Sequence, residues 1–330
     1  MVLKIIGLVI TALFIIMLSA WGMLALYYCL PAGFNIALAI TFALLALFTV
    51  TSMAMQRWRR RAMAVYTAVF AALLIWWNSI DPSNDRDWQT DVAVLPYATI
   101  DGDLVTVHNI RNFDYRTETD YIPAYYDRTF DLRKLESVDL VAVYWMGPAI
   151  AHTFLSFGFE GDNYLAVSIE TRKEKGEGYS TLKGFFKQFE LYYVVADERD
   201  VIRLRTNYRK NPPEDVYLYR IHRPIESAQR LFLEYIHKIN ALREKPAFYN
   251  TLIHNCTTTI WLNAKVNPTR PPLSWKILLS GYVPEYLYDM QTLDTSIPFP
   301  ELRKRAHVNK QAQLADNSPD FSRSIRIVDY

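Results

Sequence analysis

Cys256 stands in the run His254-Asn255-Cys256-Thr257-Thr258-Thr259, between a loop-like stretch and an apolar segment. The only other cysteine, Cys29, lies at the end of an apolar N-terminal run. Cys256 therefore has no disulfide partner in its own part of the chain. It is either a small buried hydrophobe or a reactive thiol. A reactive thiol acts as the thiolate, so its pKa must be lowered. The change from loop to apolar run predicts a helix that starts at Cys256, and a helix N-terminus favours an anion. The threonines after it would place hydroxyls in the first turn. Free N–H groups there would also face the oxyanion formed when the sulfur attacks a carbonyl.

A thiolate needs a base or imidazolium partner, and that partner needs a group to orient it. The histidines are His108, His152, His222, His237, His254 and His307. His152 is the best placed. It lies in the predicted strand Ile150–Phe159, where Ile150, His152, Phe154, Ser156 and Gly158 share one face. A strand holds an imidazole more rigidly than a loop does. His254 competes, two residues before the sulfur. Glu170 is the candidate third residue, on the strand Tyr164–Arg172. Its face depends on the hairpin register. Pairing Glu160 with Tyr164 puts Glu170 on the His152 face, whereas pairing Glu160 with Asn163 turns it away. Asn255, His254, Arg111 and Tyr249 are candidates to support a substrate or an oxyanion, and Arg111 with Asp114 reads equally well as a structural ion pair. No His-Glu-x-x-His, Cys-x-x-Cys, Gly-x-Ser-x-Gly or phosphate-cradling glycine loop occurs. This thiol chemistry calls for no metal and no cofactor.

The elements that must carry these residues follow from periodicity. Leu104–Ile110, Val138–Trp145, Leu191–Ala196 and Val201–Arg205 read as further strands. Gly147-Pro148 breaks one of them, and Gly161-Asp162 turns the hairpin. In Glu226–Arg243 the apolar residues recur at three and four, which predicts an amphipathic helix ended by Pro246. Pro268, Pro271 and Pro272 stop the Cys256 helix, and Trp275–Gly281 is a short helix. The last 30 residues read as irregular.

The first 80 residues contain no Asp or Glu. They hold three apolar runs, Ile5–Tyr28, Gly33–Met55 and Ala62–Ile80, each about long enough to cross a hydrocarbon core of ~30 Å. Lys4 precedes the first run, and Arg57, Arg59, Arg60 and Arg61 fill a loop between the second and third. The positive-inside bias puts the N-terminus in the cytoplasm and everything after Ile80 outside, the periplasm of a bacterium with two membranes. Trp76 and Trp77 sit at the outer end of the third run. The expected plan is a 1–80 transmembrane anchor in the inner membrane and an 81–330 periplasmic domain. Of the 36 Lys and Arg, five belong to the anchor, so the outer domain carries 31 against all 34 acids, a net −3. Charge therefore excludes a nucleic-acid binder.

Three stretches together carry a resemblance: Val107 to Arg116 (VHNIRNFDYR), Ala151 to Phe159 (AHTFLSFGF), and Tyr249 through Asn255-Cys256-Thr257-Thr258. They resemble the Lnb N-terminal periplasmic domain family, over most of residues 85–325. The resemblance implies an α+β fold: three transmembrane helices, then a permuted papain-like domain akin to NlpC/P60, with an antiparallel sheet and a Cys-bearing helix. It implies Cys256 as nucleophile and His152 as base. By analogy it implies a lipoprotein N-acyltransferase that moves an acyl chain from phospholipid to a lipoprotein amine. The partners would be membrane phospholipid and a lipoprotein. A peptidoglycan peptide hydrolase and a non-catalytic tethered scaffold are the competing expectations.

Overall fold

The computed structural model describes residues 2–327. It divides the chain into two compact units, residues 1–83 with 180–189, and residues 84–179 with 190–330.

The first unit contains α1 (Val2–Cys29), α2 (Phe34–Ser52) and α3 (Gln56–Asn78). All three are long and apolar enough to cross a membrane. The arginines expected in a loop are instead the first turns of α3. The segment 180–189, which the sequence places within the outer domain, packs with these helices. Lys187 Nζ donates to the carbonyls of Trp77 (2.7 Å) and Ile80 (2.9 Å), satisfying oxygens at the C-terminal end of α3. Phe186 stacks on Tyr28, with ring centroids 5.4 Å apart.

The second unit is built on one sheet. Its strands are β1 (Tyr97–Asp101), β2 (Leu104–Arg111), β5 (Tyr125–Asp131), β6 (Leu135–Tyr144), β7 (His152–Phe159), β8 (Asn163–Arg172), β9 (Glu190–Ala196) and β10 (Asp215–Arg220), with a small separate pair, β3 (Asp114–Tyr115) and β4 (Tyr121–Ile122). The order is β1-β2-β9-β8-β7-β6-β10, with β5 also on β2. Pairing is antiparallel throughout except where β2 meets β9 at Arg111 and Ala196. The helices are α4 (Glu198–Arg203), α5 (Ile225–Glu244), α6 (Cys256–Ala264), α7 (Trp275–Leu278), α8 (Val283–Asp289), α9 (Phe299–Ala306), α10 (Asn309–Leu314) and α11 (Phe321–Ser324). The class is α+β.

Alternation along the central strands divides the core. Leu155 and Phe157 of β7 pack with Phe232 and Tyr235 of α5 on one face. Phe157 meets Phe232 edge-on at 5.1 Å, a contact worth about 0.5–1.5 kcal/mol beyond the buried area. Phe154, Ala166 and Val194 point to the other face, where they meet Val201, Ile202, Ala312 and Phe321. With both faces covered, these strands read as near-continuous apolar runs.

Two predicted elements are corrected here. Val201–Arg205 is the end of α4 and a π turn, Leu204–Tyr208, not a strand. Asp197 caps that helix by accepting from the Arg199 amide at 2.9 Å. The alternation was misleading because Arg203 and Arg205 are as buried as their apolar neighbours, each held by carboxylates. Among the described residues of the tail, 301–327, the chain forms the rest of α9, then α10 and α11, rather than running irregular throughout. Val308, Ala312, Phe321 and Ile325 dock on the sheet, but no single helix is long enough to display a period.

Arg326 fastens this tail. Its guanidinium donates to Asp139 (2.8 Å) and Glu198 (2.7 Å), carboxylates with 1% and 0% exposed side chains. Removing the cation strands the buried charge of Glu198, whereas Asp139 keeps Arg220. Arg326→Ala should destabilise the domain by about 3–5 kcal/mol, read as a lowered melting temperature of the full-length protein in detergent. Arg326→Lys should recover only part of that loss, because one ammonium does not span two carboxylates. An unchanged melting temperature in the alanine variant would show that the clamp does not hold the fold.

Candidate active site

The α6 helix starts at the sulfur because Asn255 caps it. Asn255 Oδ1 accepts from the amides of Thr257 (2.9 Å) and Thr258 (2.8 Å), while the Asn255 amide donates back to Thr258 Oγ1 (3.1 Å). That role occupies the Asn255 carboxamide, whose nitrogen also donates to Thr251 O at 2.7 Å. Asn255 is thus the cap, and the expected oxyanion support falls to the backbone. Thr259 N is bonded to Asn255 O. The Cys256 N–H is the first-turn donor with no acceptor among the described residues.

A threonine pair ties this helix to β7. Thr153 Oγ1 and Thr257 Oγ1 lie 2.8 Å apart, both buried. Thr153 follows His152 and Thr257 follows Cys256, so this one bond sets the spacing of imidazole and sulfur. The approach to β7 is pinned as well. The Ala151 amide donates to Ser280 Oγ (3.0 Å), and the Gly281 amide donates to Ala149 O (3.0 Å). A side chain at Gly281 would meet Pro148 O at 2.0 Å, so only glycine fits.

The β7–β8 register matches neither pairing considered from the sequence. Phe159 pairs with Asn163 and Ser156 with Ala166. Continuing that ladder sets His152 opposite Glu170 and Phe154 opposite Ser168. His152, Ser168 and Glu170 therefore share a face. His152 Nε2 is 2.7 Å from Ser168 Oγ and 3.5 Å from Glu170 Oε1, and Ser168 Oγ donates to the same carboxylate oxygen at 2.9 Å. Since Nε2 is engaged here, Nδ1 is the ring nitrogen left for the sulfur. Arg205 holds the carboxylate from behind, with Nη2 3.0 Å from Glu170 Oε1 and Nη1 3.4 Å from Glu214. Ser168 and Arg205 were not picked out from the sequence. Ser168 could have been, because it alternates with Glu170, but Arg205 lay in a segment read as strand.

The charges respond to this geometry. Burial pushes the Cys256 thiol up. The His152 imidazole, through its charge and a hydrogen bond, outweighs that, with help from the Thr153 amide and the Thr257 hydroxyl, and brings the thiol down to about 7. Burial and Arg205 push the His152 imidazole down, but the sulfur and Glu170 hold it above its ordinary value. Burial would raise Glu170 too, yet its hydrogen bond to His152 and the Arg205 charge keep it well below the usual carboxylate range. The combination favours a thiolate–imidazolium pair near neutral pH.

The other candidates separate. Tyr249 is buried beside the sulfur, with a phenol raised by burial and by the Cys256 and Tyr179 charges, so it stays neutral and able to donate. His254 is exposed, and its backbone bonds Asn250. Arg111 is buried and gives Asp200 a two-armed contact (Nε 3.0 Å to Oδ2, Nη2 2.7 Å to Oδ1), with Nη1 on Asp91 O at 2.9 Å. It is a structural ion pair. Its carboxylate partner is Asp200, and Asp114 pairs with Arg203 instead.

Residues 121–281 match the model of the Lnb N-terminal periplasmic domain family. The match covers 161 residues, just under half of the chain. The matched residues include His152, Glu170 and Cys256, whereas Val107–Arg116 lies outside them. With three helices fit to span a bilayer, the chain is a membrane-anchored protein with a periplasmic domain. No curated protein and no solved structure matches it.

The pair predicts a pH signature. Alkylation of Cys256 by iodoacetamide should titrate with a midpoint near 7, because the thiolate reacts and the thiol does not. In His152→Ala the lowering influence is gone and burial remains, so the midpoint should rise to the ordinary 9.0 or beyond. Glu170→Gln should give an intermediate midpoint. Equal midpoints in wild type and His152→Ala would break the proposed pairing.

Proposed function

We propose that this protein is a membrane-anchored periplasmic thiol acyltransferase, taking an acyl chain from a phospholipid and passing it to a lipoprotein amine. The observation that carries this reading is a half-buried thiol at the start of α6, tied through Thr257 and Thr153 to a strand whose imidazole is oriented by a carboxylate, with the thiol brought down to about 7 by that imidazole. A thiolate so prepared is suited to attack a carbonyl and form an acyl intermediate. Three apolar helices keep the chain at the lipid surface. The cytoplasmic N-terminus and inner-membrane location proposed with it rest on Lys4 and the Arg57–Arg61 cluster.

The first half-reaction begins with His152 holding the proton of Cys256. The thiolate adds to the ester carbonyl carbon, making a C–S bond and an oxyanion. The Cys256 N–H is positioned to donate to that oxyanion, and Tyr249 is the nearby phenol able to assist. One such donor is typically worth about 3 kcal/mol in the transition state. Collapse breaks the ester C–O bond, and the His152 imidazolium protonates the departing lysophospholipid alkoxide. In the second half-reaction the neutral imidazole takes a proton from the incoming amine as its nitrogen attacks the thioester. The C–S bond then breaks, the amide is released and the thiolate–imidazolium pair returns. Glu170, steadied by Ser168 and Arg205, favours the protonated ring in both halves.

The test uses full-length protein in phospholipid vesicles with a diacylglyceryl-cysteine peptide bearing a free amine. Wild type should show an acyl adduct on Cys256 by intact mass and an N-acylated peptide. Cys256→Ala, checked to be folded and inserted, should show neither. Transfer that persists in Cys256→Ala rejects the mechanism, and cleavage of muropeptides without lipid acylation would favour a peptide hydrolase.

A further inference from the structure

The α6 face that meets the core through Ile260 also borders a cavity. Thr257, Ile260, Trp261 and Ala264, the repeat of one helical stripe, line this cavity of about 330 Å³. Val138 and Leu140 of β6 and Thr153 and Leu155 of β7 form its floor. Ala228 and Leu231 of α5 stand on one side, with Leu287 and Met290 at and just after the end of α8 on another. Its volume falls at the lower end of the range for small-molecule sites, ~300–1,000 Å³. The lining is mostly hydrocarbon.

Two observations say what occupies it. First, the cavity reaches the sulfur's immediate neighbour, because Thr257 lines it and Thr257 Oγ1 lies 3.7 Å from Cys256 Sγ. Thr153 and Thr257 line it, and they are the residues that flank His152 and Cys256 and bond to each other at 2.8 Å. An acyl group on Cys256 would enter the cavity past this pair. Second, its charged lining is dominated by cations. Arg230 and the exposed Arg223 belong to it, against one acid, Glu136. Arg230 donates to Asn267 (2.9 Å) and Ser227 (3.1 Å), and Arg223 has no carboxylate partner among the described residues. An apolar interior with guanidinium groups in its wall matches a molecule with a hydrocarbon tail and a phosphate.

We propose that this cavity is the acyl-chain site, that it holds the chain of a phospholipid donor while Cys256 attacks and of the thioester afterwards, and that Ala264 and Met290 set the length accepted. This rests on the acyl-transfer reading of Cys256. Ala264 lies about 12 Å beyond Cys256 along the helix axis, at 1.5 Å per residue. A two-carbon acyl group does not reach it, whereas a long chain laid along the stripe does. Each methylene buried in the cavity should favour the acylated complex about four-fold.

The test measures the rate at which acetyl and dodecanoyl thioesters, each carrying the same phosphate-containing leaving group, acylate Cys256 in the full-length protein in detergent. Wild type should favour the dodecanoyl thioester at least ten-fold. Ala264→Trp, which fills the far end, should cut the dodecanoyl-to-acetyl ratio ten-fold or more, and Met290→Trp, from another wall, should do the same if the first variant fails to fold. Arg223→Gln should weaken both thioesters alike and leave the ratio in place. Acylation of Cys256 with a ratio that neither tryptophan alters overturns the cavity assignment while leaving the thiol mechanism standing. A wild-type Cys256 that no thioester acylates, short or long, overturns the acyl-transfer reading and this inference with it.

Discussion

A sulfur withdrawn from water resists ionisation, and this domain is organised around meeting that resistance. Burial alone would leave Cys256 an inert thiol. The imidazole of His152 reverses the outcome, but it carries the same difficulty, because burial and Arg205 both oppose its charge. Glu170 supplies the balancing negative charge. It in turn is kept ionised by Arg205, whose other arm rests on Glu214. The site is thus an alternating series of charges, sulfur, imidazole, carboxylate, guanidinium and carboxylate, each of which makes the next tenable. Breaking one member leaves a buried charge without its partner, which costs more than the net worth of any single pair.

The alternation has to be assembled from distant parts of the chain. His152 and Glu170 come from one hairpin, Arg205 from a π turn after α4, and Cys256 from the start of α6. The sheet is what makes this possible. Imidazole, Ser168 and carboxylate project from one face of β7 and β8, while α6 packs through Ile260 with the core on the other face. The sulfur is reached at the very start of β7, where the strand does not separate the two sides. The Thr153–Thr257 bond, the Asn255 cap and the glycine at position 281 act there together. They are modest individually, but all bear on the same few ångströms.

The helical unit and the sheet unit are different physical problems. The first is held by aromatic contacts between apolar helices, such as Phe42 of α2 stacked on Tyr66 of α3, and by small residues such as Gly22, whose added Cβ would strike Phe42 at 2.6 Å. The second is a sheet-and-helix core in which Arg111, Arg172, Arg203 and Arg205 are all nearly inaccessible. Arg172 shows the pattern: it lies over the Trp88 ring at 4.3 Å and donates to the carbonyls of Val92 (2.9 Å) and Ala93 (2.8 Å). These guanidinium groups join loops to the sheet, where a hydrophobic side chain would leave carbonyls unsatisfied.

The sequence by itself determined what depends on neighbours along the chain. Three runs without acids meant three long apolar helices. The three-and-four spacing after Ile225 meant an amphipathic helix, and the change from loop to apolar run marked where the sulfur's helix begins, whereas the Asn255 cap emerged only in the structure. Residue chemistry also singled out Cys256 and His152, because a solitary thiol and a strand-borne imidazole have few other uses. What tertiary structure decided is everything that depends on distance across the fold. The hairpin register placed Glu170 opposite His152, a choice between faces that a single-residue slip would have reversed. Burial makes Arg205 read as part of a strand, and the carboxylate that commits Arg111 is Asp200, on α4 rather than in its own stretch of chain. The C-terminal helices escaped notice because their apolar residues are too few per helix to show a period and matter only where they meet the sheet. Local pattern reports which backbone a segment prefers, whereas the balance of charges in a desolvated site belongs to no segment and exists only once the segments meet.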